Sequence, residues 1–207
     1  MELRDSYDAV AAEYAAHFAN ELEGKPLDRH LLNRFAESTR DRGTVLELGC
    51  GPGQVARYLA DQGVSVTGVD LSPRMIEQAQ RAHPHLAFRV GDMTALSDPH
   101  ASIAGIVAFY AICHTPPAEL AALMRELRRV MAGDALCLLA FHIGDQRIHT
   151  DEFFGQRVNL DYYFHEPAHV IGALSASGLR VIEHVEREAY EGAEYGSRRC
   201  YLLSRAI

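Results

Sequence analysis

Tryptophan is absent from the 207-residue sequence, and cysteine occurs only four times. The four cysteines, Cys50, Cys113, Cys137 and Cys200, lie far apart and form no C-x-x-C pair. That spacing argues against a disulfide framework and against a cysteine-based zinc site. We expect free thiols in a reducing compartment.

Long apolar runs are also missing. The longest, Ala135 to Phe141, is far shorter than the ~20 residues that a membrane-spanning helix needs. Residues 1–8 carry several charges and no apolar segment of the kind found in signal peptides. The sequence therefore predicts a cytoplasmic protein without a membrane partner.

Positive charge is scarce relative to negative charge, with 20 Lys and Arg against 28 Asp and Glu and a net charge of -8. No run of basic residues supplies the counterion release that drives nucleic-acid binding. We therefore expect a small-molecule substrate and no nucleic-acid partner. The acids that a magnesium site needs are not evident, so no metal is predicted. The oligomeric state, monomer or homodimer, stays open.

Strand and helix patterns alternate through the middle of the chain, and the length fits one domain over residues 1–207. This alternation predicts an α/β fold of the Rossmann-like kind, with a mostly parallel sheet and helices on both faces. Ligands of such sheets bind beyond the carboxyl ends of the strands. The predicted strands are 44–48, 64–69, 86–90, 103–109, 135–141, 179–188 and 199–203, the last two forming an antiparallel pair.

Two segments fall outside this alternation. Residues 1–42 predict an N-terminal helical cap, with one helix over residues 6–22 capped by Asp5 or Ser6 and a second helix from Leu27. Residues 145–166, after the fifth strand, are polar and aromatic and predict a lid-like insertion over the site. Together they would enclose a pocket suited to a small substrate.

A glycine-rich loop is the strongest local signal. The predicted strand Val45–Leu48 runs directly into Gly49-Cys50-Gly51-Pro52-Gly53, where glycine recurs at every second position. Such a loop lets a ligand contact the backbone and presents amide groups at a helix N-terminus. The spacing fits a dinucleotide fingerprint only in part, so the loop alone is ambiguous.

Three acids narrow the choice of ligand. Asp70 ends the second predicted strand, where a carboxylate can accept both hydroxyls of a ribose. Asp92 ends the third, where an acid can accept from the exocyclic amine of adenine. Glu47 lies within the first strand, a costly place for a charge without a cationic partner. A ligand with an ammonium and a sulfonium supplies that cation, whereas the pyrophosphate of NAD would be repelled.

The ordered motifs resemble those of class I S-adenosylmethionine (SAM)-dependent methyltransferases, and the flanks are similar to a bacterial small-molecule subgroup. One departure is Ala132-Gly133, where the family often has Pro-Gly. The motifs are Glu47-Leu-Gly-Cys-Gly-Pro-Gly53, Val69-Asp-Leu-Ser72, Gly91-Asp-Met93 and Leu127-Arg-Arg-Val-Met-Ala-Gly133, and the flanks are Tyr7-Asp8 to Tyr14, Lys25-Pro-Leu-Asp-Arg29 and Arg199-Cys-Tyr-Leu-Leu203.

The resemblance implies a seven-stranded sheet whose last strand is inserted antiparallel, and it implies SAM as cofactor. It places the loop from Gly49 through Cys50 and Gly51 to Gly53 under the methionyl part of SAM. It also assigns the other cofactor-binding residues: Asp70 to the ribose, Leu71 to the adenine face, Asp92 and Met93 to the adenine edge, Phe109 to the methionine moiety, and Tyr14 and Arg29 to the carboxylate.

Three histidines are candidates for a catalytic base: His114 after the fourth strand, His142 after the fifth and His165 in the insertion. For each, a packing or loop role is the alternative. His165 also begins an H-E-x-x-H pattern that ends at His169. Because Pro167 favours a helix start between the two histidines, they would not share one helical face, and a zinc protease is disfavoured.

The sequence thus predicts transfer of the SAM methyl group to an O, N or S atom of a small molecule. One alternative is an NAD-dependent oxidoreductase, which would need a proton donor such as a Tyr-x-x-x-Lys pair that the sequence lacks. Another is a non-catalytic SAM-binding protein. A nucleic-acid methyltransferase is disfavoured, because the stretch Phe109 to His114 carries no Asn/Asp-Pro-Pro-Tyr/Phe tetrad.

Overall fold

A computed structural model describes residues 1–192 and 194–207. Its main sheet has seven strands in the order β3-β2-β1-β4-β5-β9-β8, and β6 and β7 form a separate two-stranded sheet. In the main sheet β9 runs opposite to the other six strands, which confirms the predicted mostly parallel α/β fold. The strands are β1 Val45–Leu48, β2 Val66–Asp70, β3 Ala87–Val90, β4 Ile103–Phe109, β5 Met131–His142, β6 Arg147–Phe153, β7 Gln156–Tyr163, β8 Leu179–Arg187 and β9 Arg199–Ala206.

Helices cover both faces of this sheet, and each face has its own hydrophobic core. Apolar residues of α5 and α6 pack on one face, and those of α2, α3 and α4 pack on the other. Within residues 1–192 and 194–207, no helix combines the length and apolar character needed to cross a membrane. The helices are α1 Leu3–Phe18, α2 Pro26–Thr39, α3 Gln54–Asp61, α4 Pro73–Ala82, α5 Leu120–Val130 and α6 Pro167–Ala176, with short 3₁₀ helices at Glu21–Gly24, Ile112–His114 and Pro117–Glu119.

The pair Ser72-Pro73 predicts a helix start, with serine as the N-cap and proline as the first helical residue. The observed start of α4 agrees with this prediction, whereas the start of α1 differs from its prediction. At α4, the Ser72 hydroxyl accepts the Met75 amide at 3.0 Å and Pro73 is the first helical residue. In contrast, α1 begins at Leu3, so neither Asp5 nor Ser6 caps it. Ser6 is instead buried inside the helix, where its hydroxyl accepts the Asn159 amide of β7 at 2.9 Å.

Residues 145–166, predicted from the sequence as a lid-like insertion, contain the hairpin β6–β7. Val158 and Leu160 of β7 pack against Val10 of α1, in a small core that also includes Met75 of α4. Helix α1 therefore lies between α4 and the hairpin, close to the carboxyl ends of the parallel strands.

The loop after β1 depends on glycine for steric reasons. Gly49 has a φ of +66°, and a Cβ built on it would lie 2.6 Å from the Cβ of Ala111, in the segment after β4. Gly53 has a φ of +84°, and a Cβ there would lie 2.6 Å from the Phe88 ring of β3. Both residues thus combine a left-handed backbone with a contact that leaves no space for a side chain.

We predict that Gly49→Ala destabilises the protein more than Gly63→Ala. Gly63 also has a positive φ, +83°, but a Cβ there would have nothing within 4 Å. Both changes impose the left-handed backbone cost of about 1–2 kcal/mol on alanine. Only Gly49→Ala adds overpacking, which costs about 1–3 kcal/mol more. Urea unfolding of both variants measures this difference, and equal losses would contradict the packing at Ala111.

Candidate functional site

A cavity of about 360 Å³ opens at the carboxyl ends of β1, β2, β3 and β4. The glycine loop, the ends of β2 and β4, the 3₁₀ turn after β4 and α1 all contribute to its wall. Of the residues predicted from the sequence, those that line this cavity are Tyr14, Glu47, Gly49, Cys50, Gly51, Asp70, Leu71, Asp92, Met93, Phe109 and His114.

Asp70 connects the glycine loop to the segment after β2. One carboxylate oxygen accepts the Gly51 amide at 2.8 Å, and the other accepts the Ser72 amide at 2.8 Å. Burial raises the pKa of Asp70, while the backbone donors act in the opposite direction. Each oxygen can accept a further hydrogen bond from the cavity, as the recognition of two adjacent hydroxyls requires.

Asp92 follows β3 at the same edge of the sheet. Its Oδ1 accepts both the amide of Thr94, at 2.8 Å, and the Thr94 hydroxyl, at 2.7 Å. These two bonds fix the orientation of the carboxylate at the cavity wall. Asp92 is therefore positioned to accept a hydrogen bond from a ligand with its second oxygen.

Glu47 is almost fully buried, with 3% of its surface exposed, and it also faces the cavity. Its Oε2 accepts the Ala56 amide at 2.7 Å, in the first turn of α3. Burial raises the pKa of Glu47 well above its usual value, and the charges of Asp70 and Glu21 raise it further. A cation in the cavity would stabilise the ionised form.

The cavity wall as a whole is acidic. Among its described lining residues, Arg4 carries a guanidinium and five residues carry carboxyl groups, namely Glu21, Glu47, Asp70, Asp92 and Glu119. This arrangement favours a ligand with positive charge and opposes a ligand with a pyrophosphate.

Glu21 was missed by the sequence analysis, which treated it as the end of a helix over residues 6–22. The structure places it in a 3₁₀ turn after α1, where its two oxygens lie 2.6 Å from Lys25 Nζ and 2.6 Å from Gln54 Nε2. The i,i+4 spacing of Glu21 and Lys25 was the available signal. It indicates an ion pair without indicating a cavity.

His114 is held by hydrogen bonds at both ring nitrogens. Nδ1 lies 2.7 Å from the Asp161 carbonyl oxygen, which can only accept, so Nδ1 carries the proton. Nε2 then accepts the Tyr7 hydroxyl at 2.6 Å. Burial lowers the pKa of His114 and raises the pKa of Tyr7 well above its usual value. Both side chains line the cavity.

The other two candidate histidines lie away from the cavity lining. His142 bonds Ser197 Oγ at 2.7 Å and stacks on Phe164 with ring centroids 5.1 Å apart. His165 is 2% exposed, and its Nε2 bonds the Ile112 carbonyl at 3.2 Å. Both histidines pack against segments beside the cavity, and neither is among its lining residues.

The H-E-x-x-H pattern does not form a shared helical face, because α6 begins at Pro167 and His165 lies before it. In the described part of the chain, no group of three or more His, Cys, Asp or Glu is arranged to hold a metal ion.

Arg29 and Gly53 are likewise placed outside the lining. The guanidinium of Arg29 donates to the carbonyl groups of Leu22 and Glu23, so it stabilises the 3₁₀ turn rather than facing the cavity. Gly53 is the N-cap of α3 and packs toward Phe88. Neither residue is therefore among those that line the cavity.

A buried polar network contacts the hydroxyl of Tyr110. This residue lines the cavity and has a φ of +56°. The Tyr110 hydroxyl lies 2.9 Å from that of Tyr201, which donates to Asp28 at 2.9 Å. Arg187 pairs with Asp28 at 3.0 Å and with Glu194 at 2.6 Å. The flank motif containing Asp28 therefore supports the cavity wall from behind.

The chain is similar to known methyltransferases in sequence. A family model described as "Methyltransferase domain" matches residues 45–134. The chain is 32% identical over 138 residues to demethylmenaquinone methyltransferase of Beutenbergia cavernae, covering 65% of this chain and 56% of that protein. It is 28% identical over 162 residues to malonyl-[acyl-carrier protein] O-methyltransferase of Pseudescherichia vulneris, covering 73% of this chain and 62% of that protein. The chain thus spans little more than half the length of these relatives.

The fold is similar to that of magnesium protoporphyrin IX methyltransferase from Synechocystis, whose structure contains bound SAM. The TM-score is 0.74 at 17% sequence identity, and the match covers 99% of this chain and 95% of that chain. Together, the comparisons show that residues 45–134 are similar to a methyltransferase domain and that the fold is that of known SAM-dependent methyltransferases.

Proposed function

We propose that the protein binds SAM in the cavity at the strand ends and transfers its methyl group to an O, N or S atom of a small acceptor. The observation that carries this proposal is the convergence of the glycine loop, Asp70 and Asp92 on one acidic cavity. The relatives act on different acceptors, so the acceptor of this chain is left as a class.

The residues of the cavity fit SAM in shape and in chemistry. A Cβ added to Gly51 would contact the Tyr14 ring at 3.7 Å, so the glycine keeps the loop backbone accessible from the cavity beside that ring. The free acceptor sites of Asp70 suit the ribose hydroxyls, and Asp92 suits an adenine amine. Leu71 and Met93 provide apolar contact for the adenine ring.

Electrostatics favours SAM over a dinucleotide. Five carboxyl groups line the cavity, and burial makes the ionised form of Glu47 costly until a cation binds beside it. SAM has an ammonium and a sulfonium, whereas NAD would place a pyrophosphate against these acids. The acidic wall therefore supports the methyltransferase proposal against the oxidoreductase alternative.

When bound, SAM supplies a methyl group activated by a good leaving group, so the protein mainly orients the acceptor and excludes water. We assign the acceptor's proton to the pair Tyr7 and His114. The Tyr7 hydroxyl oxygen takes the proton from the acceptor while it passes its own proton to Nε2 of His114. The Asp161 carbonyl continues to accept from Nδ1 and thereby stabilises the cationic ring.

We also propose that α1 and the β6–β7 hairpin form the cover of the site. Leu3, Tyr7 and Tyr14 of α1 line the cavity, and Val158 and Leu160 of the hairpin hold α1 through a small apolar core. An enclosed cavity excludes water and restricts access, which suits a small acceptor.

We predict that Asp70→Asn weakens SAM binding at least tenfold, about 1.4 kcal/mol, because the ribose loses a charged acceptor. Titration calorimetry with SAM measures this. Asp61→Asn is the matched control, since Asp61 is exposed on α3 and pairs only with Arg57 in the described contacts. Unchanged affinity in Asp70→Asn would count against the ribose assignment.

The affinity for SAM should also rise with pH above the ordinary range of a glutamate. Burial raises the pKa of Glu47 in the free protein, and the ammonium of SAM would favour its ionised form and so lower that pKa. Binding should therefore release a proton, which calorimetry in buffers of different ionisation enthalpy detects. Glu47→Gln should reduce this proton release, and an unchanged release would argue against the role of Glu47.

Burial lowers the pKa of His114, so its ring should stay neutral, with the proton on Nδ1, to a lower pH than a solvent-exposed imidazole would. Tyr7→Phe should raise the pKa of His114, because the Tyr7 hydroxyl donates to Nε2 only while the ring is neutral. Nitrogen-15 NMR of the histidine rings measures the tautomer and the pKa. An Nε2-protonated ring would contradict the assigned relay.

A further inference from the structure

Glu21 is an acid of the cavity to which neither the motifs nor the proposed chemistry assigns a role. It lies in the 3₁₀ turn that joins α1 to α2, and its side chain is only 18% exposed. It is close enough to Glu47 for its charge to raise the pKa of that residue. Two carboxyl groups from distant parts of the sequence therefore meet at the glycine-loop end of the cavity.

Both oxygens of Glu21 are held in place from behind. Oε2 pairs with Lys25 at 2.6 Å, and Oε1 accepts from the Gln54 amide at 2.6 Å. Lys25 is itself fixed, with its ammonium 5.2 Å from the centre of the Tyr110 ring and 3.7 Å from Glu194. Glu21 is therefore a preorganised group rather than a mobile surface side chain.

The charges at this end of the cavity do not balance. With both acids ionised, Glu21 and Glu47 carry two negative charges, and Lys25 compensates one of them. A single positive charge on a ligand would neutralise the remainder, and an ammonium would do so with donors for both carboxylates.

Unpaired acceptors indicate the same ligand group. Glu47 is 97% buried, and its only hydrogen bond among the described residues is the one from Ala56 to Oε2. The buried Oε1 of Gln54 has no hydrogen-bond donor in the described part of the chain. An ammonium carries three donors, and the buried acceptors at this end of the cavity lack them.

We propose that Glu21 is a second binding residue, beside Glu47, for the α-ammonium of the amino-acid part of SAM. Lys25 and Gln54 act as positioning residues for Glu21. This inference rests on the proposed function and extends it, because it assigns recognition of the amino-acid tail to the 3₁₀ turn after α1. The nucleoside is recognised separately, by Asp70 and Asp92.

The proposal predicts a specific pattern across three ligands. SAM and S-adenosylhomocysteine both have the α-ammonium, whereas 5′-methylthioadenosine keeps the nucleoside and lacks the amino-acid tail. Glu21→Gln should weaken binding of the first two at least tenfold and change binding of 5′-methylthioadenosine less than twofold. Calorimetry with the full chain measures all three.

Glu23→Gln is the matched control, because Glu23 lies in the same turn and is exposed. It makes the same change of charge and should leave all three affinities unchanged. Gln54→Met is a second variant, which removes both the donor to Glu21 and the unpaired Oε1 acceptor without altering any carboxylate. It should reproduce the ligand pattern of Glu21→Gln to a smaller extent, and thermal unfolding checks that both variants are folded.

Three results would overturn the proposal. Equal weakening of all three ligands would make Glu21 a structural support of the cavity. Tighter SAM binding by Glu21→Gln would mean that Glu21 blocks the place of the ligand. Failure of the unaltered protein to bind any of the three would remove the proposed function itself, and this inference with it. The last result is distinguishable because it needs no variant.

Discussion

The carboxylate of Asp70 is the interaction on which the site depends. It accepts one amide from the glycine loop after β1 and one from the segment after β2, so it joins the ends of two neighbouring parallel strands. The glycines allow this approach, since Gly49 packs on Ala111 with no space for a side chain. The position of the cavity follows from these two contacts, because they set the distance between the loop and the start of α4.

The same contacts concentrate negative charge in a partly buried place. Desolvation raises the pKa of Asp70 and that of Glu47, so their ionised forms carry a cost in the folded protein without a ligand. A cationic ligand offsets that cost when it binds. Under the proposed function, the acidic wall would favour a sulfonium ligand, and the backbone hydrogen bonds hold the carboxylates that form this wall.

The sequence predicted those features that are local in the chain. Alternating strand and helix patterns predicted the sheet, Ser72-Pro73 predicted the start of α4, and the glycine spacing predicted the loop. The lining position of Asp70 followed because residues after parallel strands meet at one sheet edge.

Features that depend on packing between distant segments were not predictable in this way. Arg29 and His142 have residue types that suit a site, but their partners are Leu22 and Ser197, and no local pattern reveals such contacts. The hairpin β6–β7 was not predicted, because only Val158 and Leu160 of β7 are buried. The alternation of apolar and polar residues that marks a strand is therefore weak. Glu21 lies in a 3₁₀ turn that brings it to the cavity, whereas the apolar periodicity predicted a continuous helix there.

A crystal structure of the protein grown with SAM is the sharpest test of the proposed site. We expect one SAM molecule across the strand ends, with its ribose hydroxyls on Asp70 and its amino-acid tail above the glycine loop. A SAM molecule bound elsewhere, or a cavity that takes a dinucleotide with its pyrophosphate on the loop, would contradict this expectation.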